Sequence, residues 1–283
     1  MSEILKAGFA MSGQNPVPMN ALSRRLLDAG CDLAHFKEFQ TRLRESQVYS
    51  VDAFLERYPE FVDIGKMAIA GLLLPREAPE RLYTEEDNWY RYLANKLVDN
   101  TSAGFGKPLV VLTYNYDRSL EHYLYRALKC SLHLNDMEMA DIARSLIFIH
   151  LHGSLGRLPW QSEEFGGLSR DYNAAGDLTA VAQQIKIIHE NVDDSVEYRH
   201  AREHLGDARR ACFLGFGFHR TNVRRLTFAG WPGDRANASL IVGTCLGLKD
   251  GEQRYCKALL KNSISLEDMD CLGLLRHHLF VIS

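Results

Sequence analysis

The sequence predicts an α/β fold, a doubly wound and mostly parallel sheet with a helical insertion, and three observations lead there. Short apolar runs recur at Ile4–Phe9, Leu109–Tyr114, Leu146–His152, Ala211–Phe218, Ser239–Thr244 and Leu279–Ile282. The later ones are rich in Val, Ile, Leu or Phe without strict alternation, as expected of strands covered on both faces by helices. Helical patterns separate the runs, and residues 31–100 carry helical periodicity with no strand pattern.

The first run opens the sheet, and the insertion follows. Ser50 can cap a short helix that Pro59 interrupts, Glu60–Leu74 forms a second helix, and Thr84 or Asp87 caps a third carrying Trp89, Tyr90, Leu93 and Leu97. Asn100–Lys107, with Gly104 and Gly106 inside it and Pro108 beyond, returns the chain to the sheet. After the second strand, Asp117 is positioned as an N-cap. Leu120, Tyr123, Leu124 and Leu128 then form one apolar stripe, with Arg118, Glu121 and Lys129 outside it. Val196–Arg210 is a more polar helix that feeds the strand at Ala211. The expected domains are a Rossmann-like unit of residues 1–30 and 101–283 and a helical subdomain of residues 31–100.

Composition narrows the function. In 283 residues, 46 % are hydrophobic and 24 % charged, which excludes a disordered chain. The formal charge of −3 lacks the basic excess that drives phosphate-backbone binding, so nucleic acid is not expected as a ligand. The longest apolar run, Met67–Leu74, ends at Pro75, far short of the ~20 residues that span a bilayer, and no secretory leader is expected. Six widely spaced cysteines without a CxxC pair predict reduced thiols in a cytoplasmic protein and no structural zinc.

Ligands of doubly wound sheets bind at the carboxyl ends of strands. Three such ends carry polar groups: Thr113-Tyr114-Asn115-Tyr116-Asp117, then His150-Leu151-His152-Gly153-Ser154, then Leu214-Gly215-Phe216-Gly217-Phe218 with Asn222 beyond. Each also has a plain reading. Asn115 and Asp117 can close a strand-to-helix turn, His152 can be a satisfied turn histidine, and Gly215 and Gly217 can serve only to let a helix approach the sheet. His150, two residues from His152, fits a core or supporting position better than a metal pair. Trp89, Tyr90 and Tyr92 fit helix packing, Arg209, Arg210, Arg224 and Arg225 fit surface charge, and nothing marks Cys245 as a nucleophile.

Together the three ends resemble the sirtuin-like superfamily, in particular the bacterial anti-phage defence domains that hydrolyse NAD. The family patterns are Thr-x-Asn-Tyr-Asp, Leu-His-Gly-Ser, and Leu-Gly-Tyr/Phe followed by Asp-x-Asn, matched here by Thr113–Asp117, Leu151–Ser154, and Leu214–Phe218 with Asn222. Where the family opens with Gly-Ala-Gly-Ala-Ser, this chain has Gly8-Phe9-Ala10-Met11-Ser12, and Pro16-Val17-Pro18 stands at the family's Gly-x-Pro.

The resemblance implies NAD glycohydrolysis, with His152 as base, Asn115 orienting water or a ribose hydroxyl, and Asp117 holding the nicotinamide carboxamide. It further implies dinucleotide contacts from Gly8, Ala10, Ser12, Gly153, Ser154, Gly215, Gly217, Asn222 and Thr244. NAD is the substrate, no other cofactor and no zinc are expected, and activity is gated by homo-oligomerisation or a partner such as a ring-forming ATPase. Ala10 adds a methyl where the family has a pyrophosphate-facing glycine, which keeps open a catalytically silent nucleotide-binding sensor or assembly subunit. Protein deacylation fits poorly without the four-cysteine zinc module.

Overall fold

The computed structural model describes residues 1–12, 15–84, 88–101, 108–163, 166–187, 195–227, 231 and 240–278. The predicted strand Leu279–Ile282, Asp87, Ser239 and residues 102–107 of the predicted loop lie outside them.

The N-terminus departs from expectation. Ile4–Phe9 is not a strand: Ser2–Lys6 forms helix α1, and Phe9–Ser12 (β1) pairs antiparallel with Asn15–Pro18 (β2). Glu3 in the first turn of α1 and Lys6 in the last suit the helix dipole, and only Ile4 is fully buried. The Gln40 amide donates to the Ile4 and Ala7 carbonyls at 2.6 and 2.8 Å, which satisfies the helix end. Pro16 and Pro18 lack the N–H a central strand needs but are tolerated in a two-stranded hairpin.

Helices then dominate, as the periodicity predicts. Ala21–Asp28 (α2) starts at Asn20, whose side chain accepts from the Ser23 N–H, and Leu33–Glu45 (α3) starts at Asp32, which accepts from Ala34 and His35. Ser50 caps Val51–Leu55 (α4), Pro59 opens a 3₁₀ turn, and Val62–Leu73 (α5) is the apolar helix expected over Glu60–Leu74. Pro79–Leu82 (α6) is a single turn. Trp89–Thr101 (α7) begins at Asn88 rather than Thr84, the Asn88 side chain accepting from the Tyr90 N–H at 2.8 Å.

Leu109–Thr113 (β3) leads into Ser119–Ser131 (α8), then Asp136–Ala143 (α9) and Leu146–His150 (β4). β3 and β4 form a two-stranded sheet. Leu109 donates to Ser145 at one end and Leu151 to Thr113 at the other, so the strands run parallel. Leu178–Ala182 (α10) and Val196–Asp207 (α11) precede Arg210–Phe213 (β5) and Arg220–Leu226 (α12). β5 stops five residues before the predicted end because Gly215 (φ +59°) and Phe218 (φ +47°) turn into the left-handed region.

Leu240–Thr244 (β6), Asp250–Leu259 (α13), Ser265–Glu267 (β7) and Cys271–His277 (α14) complete the described chain. β5, β6 and β7 pair in that order, all parallel, with Cys212 opposite Val242 and Gly243 opposite Leu266. The fold is therefore mixed α/β with parallel strands. Among the described residues these strands lie in two sheets rather than one continuous one.

The chain divides into two compact units. One comprises residues 1–82, 113–122 and 150–192. Its core joins Ile4, Leu22 and Leu26 to an aromatic cluster of Phe36, Phe39, Phe54 and Phe61 and to Leu178, Val181 and Ile185. The other comprises residues 83–112, 123–149 and 193–283, with Leu93, Leu124, Leu128, Phe148, Tyr198, Val242 and Leu274 buried. Within it Tyr90 meets Tyr123 edge-on at 5.6 Å, the packing role expected of that aromatic group. No helix among the described residues is long and apolar enough to cross a membrane.

Candidate functional site

The segments that follow β3 and β4 lie side by side in the first unit. The Leu151 N–H donates to the Thr113 carbonyl at 2.9 Å, and the Leu155 N–H to the Tyr116 carbonyl at 3.0 Å. Two parallel strands thus deliver Thr113–Asp117 and His150–Ser154 to one place, as the spacing of the apolar runs predicts.

Asn115 is exposed, and its hydrogen bonds among the described residues run through main-chain atoms. Its N–H donates to Thr113 Oγ1 at 3.0 Å, and its carbonyl lies 2.8 Å from His150 Nδ1. Asp117 heads α8: its Oδ1 accepts from the Ser119 N–H at 3.2 Å and from the Ser119 hydroxyl. His152 is only 5 % exposed, packs edge-on against Tyr114 with ring centroids 4.9 Å apart, and accepts at its carbonyl from the Lys186 N–H.

His150 is the side chain that meets the Asn115 carbonyl. Its Nε2 lies 2.8 Å from Glu121 Oε1, so both ring nitrogens face acceptors. Burial opposes the imidazolium, but the Glu121 carboxylate, its hydrogen bond, the Asn115 carbonyl and Asp117 outweigh it. They raise His150 above the ordinary imidazole range.

Two residues placed on the outer face of α8 are instead buried. Arg118 and Glu121 are 0 % and 2 % exposed. Arg118 forks onto Glu77, Nε to Oε1 at 2.7 Å and Nη2 to Oε2 at 2.8 Å, and donates further to the Arg170 carbonyl at 2.7 Å. Arg170, also buried, donates to the same Glu77 carboxylate. Burial first, and then Arg118, lower the Arg170 pKa, and Glu77 opposes them. Nothing in the local sequence signals this cluster, because its partners are 41 and 93 residues from Glu77. For Glu121 the available signal was its position three residues after Arg118, opposite the end of the next strand.

The residues expected to contact a dinucleotide divide into several groups. Gly8, Ala10 and Ser12 belong to the approach and first strand of the hairpin, not to a strand-to-helix loop, and Ala10 and Ser12 are exposed. The Gly8 N–H donates to Ser23 Oγ at 2.9 Å. Gly153 has φ +72°, and a Cβ there would sit 2.0 Å from the Gln184 carbonyl, so glycine is required by the isolated antiparallel bridge to Ile185. The Ser154 hydroxyl donates to the Gly156 carbonyl and accepts from its N–H.

In the second unit, the Gly215 N–H donates to Thr244 Oγ1 at 2.9 Å, which joins the carboxyl ends of β5 and β6. Gly217 borders a cavity of about 440 Å³ with Phe218, Arg220, Glu252 and Tyr255, and Asn222 sits on α12 just beyond. Arg225 is buried, unlike Arg209, Arg210 and Arg224, which are exposed as expected.

All six cysteines are unbridged. Burial, then neighbouring Cys271, pushes the Cys212 thiol up to about 12, and burial likewise raises Cys245, so neither is an activated nucleophile. No group of three metal-ligating side chains occurs among the described residues. No family model, curated protein or solved structure matches the chain.

Proposed function

We propose that the chain is a Rossmann-like NAD glycohydrolase whose reacting groups are Asn115, Asp117 and His152. The observation that carries this reading is the pair of main-chain hydrogen bonds that lays the segment after β3 against the segment after β4. An amide, a carboxylate and an imidazole are thereby borne by adjacent turns at the carboxyl ends of parallel strands, where ligands of such sheets bind.

The chemistry asks little of a general acid. The C1′–N bond breaks with its electron pair passing to the pyridinium nitrogen, so nicotinamide leaves neutral. Water forms the new C1′–O bond and gives its proton to a base. His152 supplies that base, its ring oriented by Tyr114, and Asn115 is exposed for orienting water or a ribose hydroxyl. Asp117, whose Oδ1 already caps α8, holds the carboxamide through its remaining acceptor capacity.

The test is nicotinamide release from NAD by the purified chain. Asn115→Ala and His152→Ala should each lower turnover by roughly 10²–10⁴ while leaving the circular dichroism spectrum unchanged. Full activity in either variant would remove that residue from the mechanism.

A second reading, a silent nucleotide-binding sensor or assembly subunit, is favoured by the hairpin that stands where the sirtuin-like family has its glycine-rich opening. Binding of NAD or ADP-ribose by calorimetry without nicotinamide release, with or without a candidate partner, would select it.

A further inference from the structure

We propose that His150 is a positioning residue: held as an imidazolium against Glu121 of α8, it donates from Nδ1 to the Asn115 carbonyl and fixes the place of Asn115 in its turn, and it gives up one of its two anchors when the ring loses its proton. The inference rests on the proposed reading only in what the turn is for. The device itself stands on geometry.

Both ring nitrogens of His150 face oxygen acceptors at 2.8 Å, a main-chain carbonyl and a carboxylate. A carbonyl cannot donate, and an ionised carboxylate cannot either, so only the doubly protonated ring satisfies both contacts. A neutral ring has one N–H. It would turn a lone pair toward either the Asn115 carbonyl or Glu121, and lose one of the two bonds. The charged groups facing His150 among the described residues are Glu121 on α8 and Asp117 in the turn, both of which favour the cation. Glu121 is 3 % exposed at its side chain and His150 11 %, so water screens the pair weakly. Asn115 has no other long-range tether among the described residues, its N–H being bound two residues back at Thr113. The neighbouring residues Thr113 and Tyr116 are held by main-chain bonds from Leu151 and Leu155, so His150 is the contact that ties the Asn115 carbonyl itself, and its proton is the fastener.

The experiment is a pH titration of the full chain carrying ¹⁵N-labelled histidine and backbone, compared with Glu121→Gln, which keeps the shape and removes the charge. The His150 ring nitrogens should report a doubly protonated imidazole that persists above the ordinary imidazole range, and the Asn115 amide shift should move with the same midpoint. Glu121→Gln should lower that midpoint by about one to three pH units. A ring that is neutral at pH 6, or a midpoint indifferent to Glu121→Gln, would overturn the proposal. So would an Asn115 amide that ignores the ring. Nicotinamide release, followed over the same range, separates the two claims. Coupling of ring and turn without NAD cleavage at any pH would sink the hydrolase reading and keep the positioning role. Cleavage whose alkaline limb is unmoved in Glu121→Gln would sink the positioning role and keep the hydrolase.

Discussion

Two guanidinium groups share the Glu77 carboxylate in the interior of the first unit. Burying a charge is costly unless it is paired, and removal of one partner leaves the other stranded. Glu77→Gln keeps the volume but strands both Arg118 and Arg170. Its midpoint in urea should therefore fall by the equivalent of about 3–5 kcal/mol, a loss that equilibrium denaturation would register directly. A loss below about 1 kcal/mol would mean that the main-chain carbonyls around Arg118 suffice. At the same scale, the left-handed backbone of Gly153 and the Gln184 carbonyl 2.0 Å from a would-be Cβ give the glycine beside His152 a structural reason of its own, one that its neighbours in sequence do not announce.

Among elements, the helices were the most legible. Phe36, Phe39 and Leu43 on α3, and Phe54 beside Phe61, bury the faces that their spacing sets. Phe54 sits within 6 Å of Phe39, Tyr58 and Phe61 and is fully buried. Phe54→Ala should cost about 3–5 kcal/mol by thermal or chemical denaturation, the cavity left by three rigid rings being hard to collapse.

Strands were legible where they are apolar on both sides, as β3, β4 and β6 are. β7 was not, since Ser265-Leu266-Glu267 is too short and too polar to register as a pattern and is held by pairing with β6. α1 was misread because Ile4 and Leu5 look like the start of an apolar run. What decides the matter is Gln40, which receives no hint from the neighbouring sequence. The candidate site was legible as a set of strand ends and not as a set of contacts. Asn115, Asp117 and His152 could be picked by residue type, but the pairing of His150 with Glu121 depends on how α8 lies against the end of β4.

For the molecule as a whole, the His150–Glu121 pair sets a pH dependence of stability. Because the folded state raises the His150 pKa, the pair contributes fully below the unfolded value near ~6.5 and loses its contribution as pH climbs through the folded one. The stability gap between wild type and Glu121→Gln, read from denaturant midpoints, should therefore narrow from pH 6 to pH 9. A gap constant over that range would show that the ring does not change charge with folding.

The prolines of β2 have a consequence at this scale as well. Pro16 and Pro18 face the same side of the hairpin, opposite Met11 and Phe9, and neither can supply a donor. An extended segment from another molecule arriving at that rim would meet carbonyls without matching amides. A chain that displays a two-stranded ribbon with Met11 and Val17 open to water thus carries, in two residues, a barrier against growing into a larger intermolecular sheet.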